Sequence, residues 1–190
     1  MKQVPDYQVV LIGGSAGSIP VISELLQQLP ATFKIPVVLI VHRMRNINSQ
    51  LDVLFSRNAV TRKVVDTEDK MALQKGKVYL APQNYHLLFE DDKTLSLDYS
   101  DPVFFSRPSI DVSFESAAAV FGPATLAILL SGANQDGSNG AAVVAASGGT
   151  VWVQDPATAE SDVMPLAAVR ACAQALVLTP AEMGKQLQQL

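Results

Sequence analysis

Short apolar runs recur along this chain, and most are followed by a turn and then by apolar residues at helical spacing. Residues 8–12 read as a strand, and residues 19–29 as a helix with Ser18 as its cap and Pro20 in its first turn. Residues 36–41 are a second strand, and residues 48–57 fit a short helix. The middle of the chain differs. Residues 63–66, 77–81, 86–90 and 94–98 are brief runs separated by turn chemistry such as Asp91-Asp92-Lys93, and they read as β-arches and a hairpin. The α/β rhythm then returns. Residues 109–121 form a helix capped by Ser109, and residues 124–130 a strand apolar enough to be buried on both faces. A small-residue helix at 137–147, a strand at 150–153, a helix at 165–173 and a strand at 175–178 follow. Thr179-Pro180-Ala181-Glu182 is a capping box that opens the last helix. This alternation predicts an α/β fold: a doubly wound, mostly parallel sheet with helices on both faces and a small antiparallel β insert at about residues 77–98. Neither a repeat nor a linker interrupts it, so residues 1–190 read as a single domain.

Composition narrows the function classes. The net charge is −4 and no basic run occurs, which argues against nucleic acid as a partner. The lone Cys172 has no partner for an intramolecular disulfide, as expected in a reducing compartment. The N-terminal apolar run breaks at Gly13-Gly14, so neither a signal peptide nor membrane insertion is expected, and the chain reads as soluble and cytoplasmic.

The chemistry gathers where predicted strands end. Gly13-Gly14-Ser15-Ala16-Gly17 fits Gly-x-Ser-x-Gly between a strand and a helix. A sharp turn there would lift the Ser15 hydroxyl out of the sheet, and the helix start would offer free amides to an oxyanion. The same glycines could instead merely link strand to helix, or cradle a phosphate. A serine nucleophile needs a base. His42 follows the second strand directly, while His86 opens a strand of the insert and reads as structural. In an open parallel sheet the C-terminal strand ends share one edge, so Ser15 and His42 could meet there, unless His42 is a plain loop residue. Ser131-Gly132-Ala133-Asn134-Gln135-Asp136-Gly137 follows the most apolar strand at the same edge. Asp136 is either an N-cap or the carboxylate that orients His42, and Ala133 or Asn134 could present amides to an oxyanion. Asp101, Asp111, Asp155 and Asp162 are rival carboxylates, with Asp111 better suited to the first turn of a helix. Trp152 reads as core, Arg107 as a loop cap or a contact for an acidic surface, and Phe104 and Phe105 as a cover over the sheet edge or a lining of the substrate groove.

Together with Val78-Tyr79-Leu80-Ala81-Pro82, His86-Leu87, Arg107-Pro108-Ser109-Ile110-Asp111, Gln154-Asp155-Pro156-Ala157-Thr158-Ala159 and Met164-Pro165, these motifs resemble the catalytic domain of the bacterial chemotaxis methylesterase family, CheB. The resemblance runs from about Gln8 to Leu178 with the motifs in order. It implies hydrolysis of glutamate γ-methyl esters on the cytoplasmic helices of chemotaxis receptors, with release of methanol, and deamidation of certain receptor glutamines. It implies Ser15 as nucleophile, His42 as general base and acid, Asp136 as orienting carboxylate, and the amides of Ala16 and Ala133 near the oxyanion. It implies no metal or organic cofactor. A phosphoryl-receiver domain is common in the family and no room for one is found in this chain, so a separate receiver domain or a methyltransferase is a further expected partner. Three positions depart from the family's usual pattern: Ser18 stands for a glycine, Met44 for the proline of His-x-Pro, and Ala133 for a methionine. These bear on substrate fit and oxyanion contacts and leave the three implied catalytic residues in place. Two competing readings are a non-catalytic signalling domain of the same fold and a serine esterase for small molecules.

Overall fold

The computed structural model describes residues 6–43, 49–59 and 62–190. The first apolar run becomes β1 (Val9–Gly14), buried along its whole length. It is followed by α1 (Ser18–Gln28), β2 (Val37–Val41), α2 (Leu51–Asn58), β3 (Val64–Asp66), β4 (Met71–Ala72), β5 (Val78–Leu80), β6 (His86–Phe89) and β7 (Thr94–Asp98). The second half adds α3 (Ile110–Phe121), β8 (Thr125–Leu129), α4 (Ser138–Ala146), β9 (Thr150–Gln154), α5 (Val163–Ala171), β10 (Leu176–Leu178) and α6 (Pro180–Leu187). Among the described residues, seven strands form one parallel sheet in the order β10-β9-β8-β1-β2-β5-β3, and β4, β7 and β6 form a small antiparallel one.

The doubly wound reading holds, and the period-2 geometry of strands explains the two layers. Val9 and Leu11 of β1 face one core with Val38, Ile40, Ala127 and Leu129, covered by Ile110, Phe114, Val144 and Met164 from α3, α4 and α5. Val10 and Ile12 face the other core with Leu39, Val41, Ile128 and Trp152, covered by Ile22, Leu25, Phe55 and Met183 from α1, α2 and α6. Every residue of β1, β2 and β8 is buried, as a sheet covered on both sides requires.

The boundaries of the insert need correction. β5 is not part of it: Val78 pairs in parallel with both Val37 and Val64, so β5 joins β3 in the main sheet. Three-residue runs carry too little alternation to reveal which sheet they join. The antiparallel sheet instead recruits Met71 and Ala72 beside β7 and packs Leu87, Phe89 and Leu95 against the α3 layer. Helix ends shift by small steps. Ser18 does not cap α1: Gly17, at φ +77°, holds the cap position, and the Ser18 hydroxyl donates instead to the Ser15 carbonyl at 2.7 Å. Of the expected helix at 48–57, Asn48 lies outside the described residues, and α2 begins at Leu51. The Thr179–Glu182 capping box is present in both its halves.

One close approach sets the site. A Cβ on Gly13 would lie 2.5 Å from Cγ2 of Ile110, the first residue of α3. The missing side chain lets the α3 N-terminus sit directly over the end of β1.

Candidate active site

Three strand ends converge. β1 is the central strand of the trio β8-β1-β2, with Gly14 opposite Val41 and Gly13 opposite Leu129. The residues that follow are therefore neighbours. The His42 amide donates to the Gly14 carbonyl at 3.1 Å, and the Ser15 amide donates to the Ser131 carbonyl at 2.9 Å. Ser15 thus stands between the β2 and β8 loops at the first break of the strand, half-buried, beside an exposed Ala16.

Asp136 is completely buried and accepts four hydrogen bonds. His42 Nε2 lies 2.7 Å from its Oδ2, and the Ile110 amide donates to the same oxygen at 2.7 Å. The Ser109 hydroxyl and the Asp111 amide donate to Oδ1 at 2.8 and 3.0 Å. The capping role that the sequence allowed is therefore real, but the helix is α3 rather than the adjacent α4, whose cap is Gly137. Capping and contact with histidine occur together. Burial alone would push this carboxyl up, but the His42 hydrogen bond, the Asp111 and Ile110 amides and the His42 charge hold it below its ordinary value. Asp136 is a fixed anion at a helix N-terminus, where the helix dipole favours negative charge.

With Nε2 engaged by Asp136, the other ring nitrogen of His42 is the one open to proton exchange, and its observed partner is Ser106, whose Oγ is 3.2 Å from Nδ1. Nothing in the sequence pattern marked Ser106. It reaches the histidine through a tight turn far along the chain. Ser131 was likewise only a letter in a motif. It is buried, its hydroxyl donates to the Ala16 carbonyl at 2.7 Å and accepts from the Ser161 amide at 2.9 Å, and it pins the Ser15 turn to the loop before α5.

The remaining candidates sort plainly. Asn134 accepts from the Asp136 amide through its side chain at 3.1 Å, so that side chain braces the loop. Ala133 and Ala16 are exposed, and among the described residues their amides donate to no backbone carbonyl. His86 is buried, donates from Nε2 to the Asp101 carbonyl at 3.1 Å and accepts from the Ser109 amide at Nδ1, so it supports the α3 cap from behind. Asp155 caps a short 3₁₀ turn, and Asp162 precedes α5, so neither faces His42 through a hydrogen bond. Arg107 braces a loop through the carbonyls of Tyr99 and Ser100 at 3.0 and 2.7 Å. Arg43 is held by Asp66 and the Ala81 carbonyl, and Met44 lies outside the described residues. A cavity of about 520 Å³, lined in part by Tyr7, Pro36 and Lys93, sits at the opposite edge of the sheet, where β1 and β2 begin. Among the described residues no three His, Cys, Asp or Glu side chains are grouped as metal ligands.

Asp111 is buried behind this site and accepts from the Gly140 amide at 2.7 Å. Burial drives its pKa up from 3.8 to about 6. The Gly140 amide opposes this in part, and the Asp136 charge adds to it. The folded-state value exceeds the unfolded one, so ionised Asp111 destabilises the protein above about pH 6, and the penalty disappears as pH falls toward the unfolded value near 4. Asp111→Asn removes the charge and keeps one acceptor oxygen for the Gly140 and Gly137 amides that meet this carboxyl, which offsets part of the gain. It is expected to raise stability at neutral pH by up to about 3 kcal/mol, the worth of a shift of this size, and to lose that advantage near pH 4. Urea midpoints of the variant and wild type across that range measure the effect.

Known proteins share this sequence pattern and this fold. The family model for CheB methylesterase matches residues 10–187. A Leptospira interrogans protein, provisionally assigned protein-glutamate methylesterase and protein-glutamine glutaminase activities, is 40% identical over 177 residues, covering 92% of this chain and 90% of that one. The Pseudomonas putida protein-glutamate methylesterase/protein-glutamine glutaminase is 33% identical over 185 residues, covering 95% of this chain but 48% of that longer protein. The crystal structure of the Thermotoga maritima CheB methylesterase catalytic domain superposes with a TM-score of 0.88 at 27% identity, covering 96% of this chain and 98% of that one. With matched sequence over nearly its whole length, the chain belongs to the CheB methylesterase family.

Proposed function

We propose that this protein is a serine hydrolase that removes methyl groups from glutamate γ-methyl esters on the cytoplasmic helices of chemotaxis receptors and deamidates certain receptor glutamines. The observation that carries the reading is the 2.7 Å pair between His42 and the buried, ionised Asp136, set one strand away from Ser15. A buried anion on one ring nitrogen favours the tautomer with its proton on that nitrogen and leaves the other basic.

The chemistry follows acyl transfer. Nδ1 of His42 exchanges its Ser106 contact for Ser15, takes the Ser15 proton and lets Oγ attack the ester carbonyl. The Asp136 charge stabilises the imidazolium that results. The amides of Ala16, next to Ser15, and of Ala133, two residues after the Ser131 whose carbonyl holds the Ser15 amide, would serve the tetrahedral oxyanion. Collapse breaks the acyl–oxygen bond, and His42 returns the proton to the departing methoxide, giving methanol. A water molecule, deprotonated in turn by His42, cleaves the glutamyl–Ser15 ester and leaves a glutamate carboxylate and free Ser15. Glutamine follows the same path with ammonia as leaving group. Because the serine turn stands open to solvent, it suits a side chain presented on a protein surface.

Methanol release from methyl-labelled receptor membranes tests the reading. Catalytic release supports it. Hydrolysis of soluble esters with inert receptors points to a small-molecule esterase, and receptor binding with no hydrolysis of either points to a docking domain.

A further inference from the structure

Residues Val103 and Ser106 pair across a two-residue turn, with reciprocal backbone hydrogen bonds of 3.1 and 2.8 Å. The two turn residues are Phe104 and Phe105, at φ +45° and +62°. Consecutive positive φ values suit Asn and Gly, and a bulky side chain there is strained. Phe104 is half-buried, but Phe105 is 96% exposed. Folding gains nothing from this arrangement. The ring stays in water, and the backbone is held where glycine would fit better. Strain of this kind persists where the surroundings impose it and tends to mark function.

The turn is fastened to the site. Ser106, the next residue, meets His42 Nδ1 at 3.2 Å, and the Phe104 carbonyl lies 3.5 Å from the Asn134 side-chain amide. Phe105 therefore projects from the rim of the active site, one residue from the contact on the general base. Arg107, two residues on, leads to two further aromatic rings. Arg107 stacks over Tyr99 at 3.8 Å, and Tyr99 meets Tyr85 at 5.6 Å between ring centroids. Aromatic residues and arginine are the residue types that anchor protein interfaces.

We infer that Phe105 is the docking anchor for the protein that presents the ester, its ring seating between side chains of a substrate helix while the neighbouring glutamyl ester reaches Ser15. This rests on the functional reading above. Continuity of the rim with His42 selects the substrate, rather than a remote partner, as its occupant.

The test compares wild type, Phe105→Ala and Phe105→Gly on two substrates, methyl-labelled receptor membranes and a soluble small ester. Burial of a phenylalanine ring corresponds to a rise in KM for receptor of about 10- to 100-fold in both variants. Turnover of the small ester is expected to hold. Phe105→Gly, relieved of strain, is expected to melt no lower than wild type, which separates lost docking from lost folding. An unchanged receptor KM with active wild type overturns the inference alone, and an oligomer lost in Phe105→Ala under those conditions reassigns the ring to a second copy of the chain. Equal loss on both substrates also overturns it, because the turn would then serve only to shape the site. Wild type that hydrolyses the small ester but not the receptor overturns the functional reading and the inference with it.

Discussion

Asp136→Asn is expected to reduce kcat for methyl ester hydrolysis by about 10⁴-fold, the scale set by turning the base into the wrong tautomer. The substitution keeps the shape and one acceptor oxygen but replaces the other with an amide that donates. Oδ2 receives the Ile110 amide and His42 Nε2, and Oδ1 receives Ser109 and the Asp111 amide. Whichever way the new amide turns, it faces donors. If it meets His42, the ring must expose a lone pair at Nε2 and carry its proton on Nδ1, which removes the base. Stability is expected to fall as well, by about 2–4 kcal/mol, since buried donors at the α3 N-terminus lose their acceptor. The pH dependence distinguishes this from a packing defect. The folded-state pKa of Asp136 lies below its ordinary value, so its stabilisation is complete above the unfolded value near 4 and is lost as pH falls through the lower folded one. The difference between wild type and Asp136→Asn in urea midpoint is therefore expected to be constant near neutrality and to shrink in acid. Asp136→Ala, with no acceptor at all, is expected to be the less stable of the two variants. A fully active Asp136→Asn would overturn the assignment of His42 as base.

Much of this site was legible in the sequence because its chemistry lies at the ends of strongly apolar strands. Runs such as Val37–Val41 announce themselves, and in a parallel sheet the residues after them must share an edge, so His42 and Asp136 could be placed without coordinates. What escaped was set by tertiary contact. β5 has three buried residues whose pattern does not say whether they pair with β2 or with the insert. Asp136 sits beside one helix and caps another, which no local capping rule reports. Ser106 reaches His42 across 64 positions of the chain, and its turn uses two phenylalanines where turn rules call for asparagine and glycine. The Phe104–Phe105 turn overrides local preference beside His42, whereas Lys70 and Lys93, also at positive φ, do so at the antiparallel sheet.

Ser106 makes the identity of the nucleophile a question that experiment can decide. Ser106 is the serine in hydrogen-bond contact with His42 Nδ1, while Ser15, at the strand-to-helix turn, follows the Gly14 whose carbonyl accepts from the His42 amide. Proximity to the base is only half of the requirement, because the attacking oxygen also needs donors placed for the oxyanion. In the function proposed above the Ala16 and Ala133 amides, which donate to no backbone carbonyl among the described residues, serve Ser15, which precedes α1, while the backbone of Ser106 is paired with Val103. Ser15→Ala is therefore expected to lower methanol release by about 10⁴- to 10⁶-fold, and Ser106→Ala by about 10-fold or less. The fold should tolerate the first change, since the turn is held by the Ser15 backbone, whose amide meets Ser131 and whose carbonyl accepts from Ser18. Its stability is expected to stay within about 0.5 kcal/mol of wild type. A phosphonate that traps serine nucleophiles should label the peptide carrying Ser15 in wild type and in Ser106→Ala, and fail to label Ser15→Ala. Label on Ser106, or an active Ser15→Ala enzyme, would move the nucleophile to the other side of the histidine. The Ser106 contact seen on Nδ1 would then be the attacking pair itself rather than the resting partner of the base.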